Sequence, residues 1–382
     1  MRVVIVGLGV MGLSTARVLA ERGHDVIGLD RYGVGALPGS SSGDSRIFRL
    51  SHADRDFIRL ASRAHDGWRR IEERVGQELI NMCGVLERGD AALATAEALA
   101  AEGVAFRSLD ADGVNELFPE LSTRADVPAI FQADAGTIRA DRALQVDREL
   151  ARAAGAEIVE GERVVSVELA ADRVRLDTDR RTLDAEVAVI CAGPWLGELL
   201  ASLEVLPSMT PVPVQGTYFH TDPGLPDRPV IFDWYSEETG SLYGMPTGHG
   251  YKAGLLDSTT SWDGEAGEVP ISADEVELVC ERVREAMPGL GEPTGSQACP
   301  VTLTGDGKFI LDRHDRLVIG GGCSGQAFKF MPLLGEVLSD LVEDRPRDPL
   351  MEQFRLGRPG LERPIVSYRD LMLHDTHEAT AG

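Results

Sequence analysis

Lysine is nearly absent from this chain: of its 382 residues only Lys252, Lys308 and Lys329 are lysines, and the rest of the 38 basic residues are arginines. Positive charge as a whole is in deficit, because 62 acidic residues give a formal charge of −24. A chain this acidic is repelled by phosphate backbones and anionic membranes, so neither nucleic acid nor a membrane surface is an expected partner. Aromatic residues make up only 5%. The five cysteines, Cys83, Cys191, Cys280, Cys299 and Cys323, are widely spaced and form no CxxC pair, which speaks against a disulfide framework or a zinc site and for a reducing compartment. No apolar run approaches the roughly 20 residues of a membrane helix. A strand pattern starts within two residues of Met1 and leaves no room for a leader, so a cytoplasmic protein is expected. The eight histidines show no metal spacing, and neither a solenoid repeat nor a nucleophile elbow is found, so no metal site and no Ser/His/Asp hydrolysis are expected. Most of the histidines read as surface residues, with His249 near enough to Lys252 to reach a cleft.

What is present, 43% hydrophobic and 26% charged residues, suits one large or two moderate globular domains. Val3 to Val6 reads as a strand, Gly7 to Gly12 as a turn, Leu13 to Arg22 as a helix, and Val26 to Leu29 as a second strand ending in Asp30. After a Gly/Ser/Pro loop from Gly33 to Gly43, helical spacing of Phe57, Leu60, Ala61, Ala64, Trp68, Ile71 and Val75 predicts one long amphipathic helix. The pattern from Leu86 to Arg139 is mixed. It is followed by a helix over Asp141 to Ala154 and strands over Ala156 to Val159, Arg163 to Leu169 and Val187 to Cys191. Val212 to Gln297, rich in Gly, Pro, Thr and Tyr, reads as a mostly antiparallel sheet. A strand at Leu317 to Ile319, a glycine turn at Gly320 to Gly325 and a helix over Lys329 to Val342 close the pattern.

The fold class is therefore α/β with two domains (α+β overall): a Rossmann-like nucleotide-binding domain built from 1–85, 140–211 and 298–359, interleaved with a mostly antiparallel sheet domain from 86–139 and 212–297. Residues 360–382 read as a disordered tail or an oligomer contact. Interleaving of this kind puts a ligand cleft at the domain interface.

Gly7, Gly9 and Gly12 form GxGxxG directly after a strand and at the opening of a helix, with Asp30 at the end of the next strand. Glycines let the backbone approach a pyrophosphate, the helix N-terminus offers it unpaired N–H groups, and the acid accepts from ribose hydroxyls. This fingerprint predicts a dinucleotide without separating NAD from FAD. Three further stretches occur in order: Gly39-Ser40-Ser41-Ser42-Gly43-Asp44-Ser45-Arg46-Ile47-Phe48-Arg49, then Cys299-Pro300-Val301 followed by Phe309-Ile310-Leu311-Asp312, then Gly325-Gln326-Ala327-Phe328-Lys329-Phe330. Together they resemble the monomeric sarcosine oxidase and N-methyltryptophan oxidase group of FAD-dependent amine oxidases, in the D-amino-acid-oxidase-like superfamily, over roughly residues 1 to 359.

The resemblance implies FAD held by Gly7, Gly9, Gly12, Asp30, Ser42, Arg46, Val164, Gly193, Cys299, Gly322, Gly325 and Phe328, with Cys299 bonded through sulfur to the flavin 8α carbon. It implies a catalytic set of Arg49 and Lys329 on the substrate carboxylate, Lys252 activating oxygen, and Tyr243 in the substrate pocket. The plain alternatives are a buried thiol, arginines paired with Asp44 or Asp54, an exposed strand lysine and a packing aromatic. Two of three lysines fall where the group places a compact ammonium, which arginine's planar fork does not replace. Lys308 has no implied role. The sequence departs from the group at Ser41 and Ser42, Val301 and Leu256, each smaller or more apolar than the residue usual there, which predicts a roomier pocket for a larger secondary or cyclic amino acid. The expected activity is oxidation of such a substrate by hydride transfer to FAD, with oxygen as acceptor and hydrogen peroxide as product. A biosynthetic flavin dehydrogenase or cyclic imine oxidase, and a non-catalytic dinucleotide-binding protein, are the alternatives.

Overall fold

The structure is a computed structural model and describes residues 1–122, 124, 126–203, 209–221, 228–234, 241–256, 262, 269–365 and 367. Among these residues the strands form four sheets. The first has six strands in the order Ile310–His314, Leu317–Gly321, Val187–Ile190, Arg2–Val6, Asp25–Asp30 and Glu157–Glu160. All its pairings are parallel except the hairpin of the first two. Parallel strands buried on both faces read as continuous Val/Ile/Leu runs, which is why they were legible. One face packs on helices Val10–Glu21, Ala140–Ala153 and Met331–Val342 and, beyond them, on Arg55–Val75. The other lies under a three-stranded antiparallel sheet of Val164–Leu169, Val174–Thr178 and Thr182–Ala185.

The long helix runs Arg55–Val75, capped by the Asp54 carboxylate accepting from Asp56 N and ended by Gly76 at φ 64°. Its buried face is the predicted one. Trp68, fully buried, donates from Nε1 to the Lys329 carbonyl at 2.8 Å, so this helix anchors a segment far away in sequence. The eight-stranded sheet has the order Pro293–Leu303, Thr210–Phe219, Gly250–Leu255, Leu242–Thr247, Val230–Asp233, Val85–Arg88, Ala129–Gln132 and Arg107–Leu109. Its single parallel pairing joins Val230–Asp233 to Val85–Arg88. A small sheet of Ser45–Phe48, Gly136–Arg139 and Ile80–Asn81 leads from the nucleotide sheet toward it.

Several expectations need correction. The region read as sheet contains a helix, Ala273–Ala286, whose Ser272 hydroxyl accepts from Glu275 N. The S-x-x-E start and the buried Val279, Cys280 and Val283 are a capping-box signal that the surrounding Gly/Pro-rich composition obscured. Lys329 does not open the last helix. It sits in a 3-10 turn, Ala327–Phe330, and the helix starts at Met331 with Pro332 in its first turn, where a missing N–H costs nothing. The strand bearing Cys299 runs Pro293–Leu303 and pairs with Thr210–Phe219, so the sheet crosses the expected boundaries at 211/212 and 297/298. The start of the expected tail is packed: Leu361 and Ile365 are buried, and Thr210 Oγ1 donates to the Ile365 carbonyl at 2.6 Å. Residues 366 and 368–382 of that stretch lie outside the described residues. Lys308 is a tie, donating to Gln353 at 2.9 Å and lying 3.6 Å from Asp54, the cap of the long helix.

Candidate active site

The site has two connected parts. The first is a cleft at the carboxyl ends of the parallel strands, with about 1230 Å³ of space, partly open to solvent. Gly7 has φ +88°, and a Cβ there would meet the Cys191 carbonyl oxygen at 2.3 Å; one on Gly12 would meet the Gly7 oxygen at 2.0 Å. Only glycines allow the chain to turn this tightly from strand into helix. Asp30 is already engaged: Oδ2 accepts from Leu8 N at 2.8 Å, and Oδ1 from Tyr32 N and Gly33 N. These bonds hold the acid at the cleft and leave acceptor capacity on both oxygens. Ser41 Oγ accepts from Val10 N at 3.0 Å, capping the first helix from outside because Gly9 has no side chain to do so.

From Asp30 the lining passes Val164, Val165 and Ala192 to Trp195, then reaches Gly320 to Cys323, Thr302 and Ala327. At its mouth the Arg31 guanidinium lies 4.7 Å from both the Tyr32 and the Trp195 ring centres. The hydroxyls of Ser40, Ser42 and Thr302 line the cleft, buried and without a partner. Buried polar atoms are satisfied in native proteins, so a long polar group in this cleft is what the lining fits. Gly7, Gly9, Ser42, Val164, Gly193 and Gly322 all line it. Gly325, at φ +75°, shapes the following turn without lining the cleft.

The second part is the face of the eight-stranded sheet turned toward the first. Cross-strand pairing puts Glu87, Phe232, Tyr243 and Gly254 in one row, and Met245, Lys252 and Tyr218 in the next. Arg46 joins the two parts. It donates to the carbonyls of Ser40, Ser42 and Ser45, its Nη2 is 3.8 Å from Cys299 Sγ, and it lies 5.6 Å from the Phe328 ring. Lys252, 8% exposed, donates to the Ser45 carbonyl at 3.1 Å. Burial, and after it the Arg46 charge, lowers its pKa to about 8. Glycine makes its room: a Cβ on Gly216 would press on the Lys252 stem at 3.0 Å, and one on Gly254 would meet the Tyr243 hydroxyl at 2.6 Å. Tyr243 reaches the Gln215 carbonyl at 3.4 Å. Tyr218 is held between Asp44 and Gln297, and burial together with Asp44 raises its hydroxyl well above the ordinary range.

Arg49 is paired neither with Asp44 nor with Asp54 but with Glu87, at 3.1 Å, and lies 4.6 Å from the Phe232 ring. Lys329 is buried, donates to the Gln326 carbonyl at 3.2 Å and lies 4.8 Å from the Phe330 ring. Burial and the Arg49 charge hold its pKa well below the usual lysine range. His52, one of eight histidines of which most read as surface residues, is 7% exposed and packs on Phe57 and Phe330. Burial, Arg49 and Lys329 keep it neutral, and its Nε2 has no partner. His249 is exposed in a hairpin turn, away from the cleft. Leu256 packs near Phe232 and Tyr243, whereas Val301 packs with Val212, Leu303 and Ile365. Space conceded at Val301 is thus filled from the segment expected to be a tail. Sequence reasoning missed Glu87, His52, Tyr218, Gly216 and Gly254; the one visible signal was a charge pair, Glu87-Arg88, inside a short apolar strand. Among the described residues no cluster of His, Cys, Asp and Glu could hold a metal ion, and no helix is long and apolar enough to cross a membrane.

A dinucleotide cleft that ends on a buried cationic face of an antiparallel sheet defines a two-domain flavoprotein oxidoreductase. The chain belongs to the FAD dependent oxidoreductase family, DAO, whose model matches residues 2–341. It is 28% identical to the monomeric sarcosine oxidase of Bacillus sp. (strain B-0618) over 383 residues, 95% of this chain and 97% of that protein. It is 27% identical to the N-methyl-L-tryptophan oxidase of Escherichia coli O127:H6, covering 93% and 98% of the two chains. Among solved structures, the open form of NikD, an unusual amino acid oxidase essential for nikkomycin biosynthesis, superposes with a TM-score of 0.84 at 26% identity, covering 95% and 99%. The protein is an FAD-dependent oxidoreductase.

Proposed function

We propose that the protein oxidises a secondary or cyclic amino acid at the carbon beside its nitrogen. The observation that carries this reading is two pairings of a buried lysine with an arginine, Lys252 with Arg46, which is bound to the cleft-lining Ser40 and Ser42, and Lys329 with Arg49. The six-stranded sheet with its helices would form the FAD-binding domain, and the eight-stranded sheet, including Val85–Arg88, Thr210–Phe219 and Pro293–Leu303, the substrate domain. FAD, when bound, would supply the redox chemistry, two-electron oxidation of the substrate carbon with the electrons passed on to oxygen as hydrogen peroxide.

The chain's own residues bind and orient. Gly7, Gly9, Gly12, Asp30, Ser42, Val164, Gly193, Gly322 and Gly325 would hold the dinucleotide, and Arg46 and Phe328 would border the flavin ring. Cys299, whose sulfur lies 3.8 Å from Arg46 Nη2, would tether it. Arg49 and Lys329 would fix the substrate carboxylate, and Tyr243 would close the pocket. Buried in this way, an ammonium at Lys252 stabilises negative charge developing on oxygen without moving a proton. The five free cysteines fit a reducing, cytoplasmic setting.

The test is anaerobic mixing of the flavoprotein with a panel of N-methyl and cyclic amino acids and their descarboxy analogues. Bleaching of the flavin by the carboxylates, followed by oxygen uptake and peroxide release on aeration, is expected. A flavin that no amine in the panel reduces would refute the reading. Bleaching without one peroxide per turnover would favour a biosynthetic flavin dehydrogenase.

A further inference from the structure

Glu87 has no part in the roles above, yet its position is costly. The carboxylate is 1% exposed, and everything that touches it donates. Oε1 accepts from Arg49 Nη1 at 3.1 Å and from the Ser51 hydroxyl, and Oε2 from Trp234 Nε1 at 3.2 Å. Arg49 Nη1 is in turn spent on Glu87 and on the Ser51 carbonyl, so Nε and Nη2 remain for a ligand. The wall beside them is aromatic and uncharged: Phe232 lies 4.6 Å below the guanidinium and stacks on Trp234 at 5.3 Å.

The charges can be counted. Around Glu87, Arg49 and an ammonium at Lys329 are two positive groups and Glu87 is one negative group already in place, while Arg46 and Lys252 are turned to the carbonyls of Ser40, Ser42 and Ser45. One ligand carboxylate brings the buried set to neutrality, and its arrival restores the charged form of Lys329 that burial and Arg49 disfavour. A second ligand anion would sit in the same desolvated space with no counter-charge, beside Glu87. Unpaired buried charge is the costly case.

We propose that Glu87 is a specificity-determining residue that restricts the site to amines carrying a single carboxylate and an uncharged body. The inference rests on the flavin amine oxidase reading and is tested apart from turnover. The flavin-loaded protein is titrated with furan-2-carboxylate and with furan-2,5-dicarboxylate, two unreactive acids on one ring, and binding is read from the flavin absorbance. Wild type should bind the monocarboxylate about tenfold or more tighter than the dicarboxylate, as expected for one extra buried charge near Glu87. In Glu87→Gln that preference should fall by about tenfold, while Glu87→Asp, which keeps the charge, should retain it. Equal affinities in wild type, an unchanged ratio in Glu87→Gln, or equal loss in both variants would overturn the proposal. Failure of furan-2-carboxylate to perturb the wild-type flavin would instead overturn the amine oxidase reading beneath it.

Discussion

Replacing Lys252 by Met separates the function of a buried ammonium from its cost. The group is 8% exposed and accounts for one hydrogen bond, to the Ser45 carbonyl, and burial with Arg46 takes its pKa from 10.5 to about 8. Holding it charged in the fold therefore costs about 3 kcal/mol at pH values below 8. The folded pKa lies below the unfolded one, so between about pH 8 and 10.5 the unfolded chain binds more protons, and stability rises with pH across that window. Met fills similar volume without the charge. After about 1 kcal/mol for the lost hydrogen bond, Lys252→Met should be more stable than wild type by about 2 kcal/mol at pH 7, with the gain gone by pH 10. Urea unfolding at both pH values measures it. In rapid mixing of the reduced flavoprotein with oxygen, the same variant should reoxidise about 10²- to 10³-fold more slowly, with flavin reduction little changed. Wild-type reoxidation should decline as pH rises through about 8, where the Lys252 ammonium loses its proton. A variant that reoxidises normally, or a wild-type rate flat from pH 6 to 10, would refute the electrostatic role; a variant less stable at pH 7 would refute the burial cost.

Cys299→Ser should leave the acid-precipitated protein colourless where wild type gives a yellow pellet; yellow in both removes the tether. Arg49→Lys keeps the charge and loses the fork, so KM for a carboxylate substrate should rise about tenfold or more, with little change for its descarboxy analogue. Gly254→Ala drives a Cβ against the Tyr243 hydroxyl and the Gln215 carbonyl, both at 2.6 Å, and should cost about 1–3 kcal/mol in denaturant unfolding with altered substrate KM. Asp147, fully buried, takes a 2.6 Å bond from Arg17 between two helices; Asp147→Ala leaves that guanidinium to Glu21 at 3.2 Å and should cost about 1–3 kcal/mol while flavin spectra stay unchanged.

Local constraints made the parallel sheet, the glycine turn at Gly7 to Gly12 and the helix Arg55–Val75 legible. A buried parallel strand must be apolar throughout, a turn that meets backbone at 2.0–2.3 Å must be glycine, and a helix on a core must repeat every 3.6 residues. The scarcity of lysine carried information for a related reason, since Lys252 and Lys329 are both buried and arginine's wide fork is not a substitute for a compact amine. Lys308 shows the limit of that reasoning, for it closes a structural contact at Asp54 and Gln353.

Tertiary structure alone decided the electrostatics of the site. Glu87 and Arg49 are 38 residues apart in sequence, and only the parallel pairing of Val85–Arg88 with Val230–Asp233 turns that carboxylate inward beside Phe232. His52 sits among rings that include Phe330, from a segment far away along the chain, and Ile365 fills the volume that Val301 leaves. Which residues face which cleft follows from periodicity. Which charge meets which counter-charge in the dry interior depends on segments brought together by folding, because desolvation and pairing act at distances of a few ångströms in space, whatever the separation along the chain.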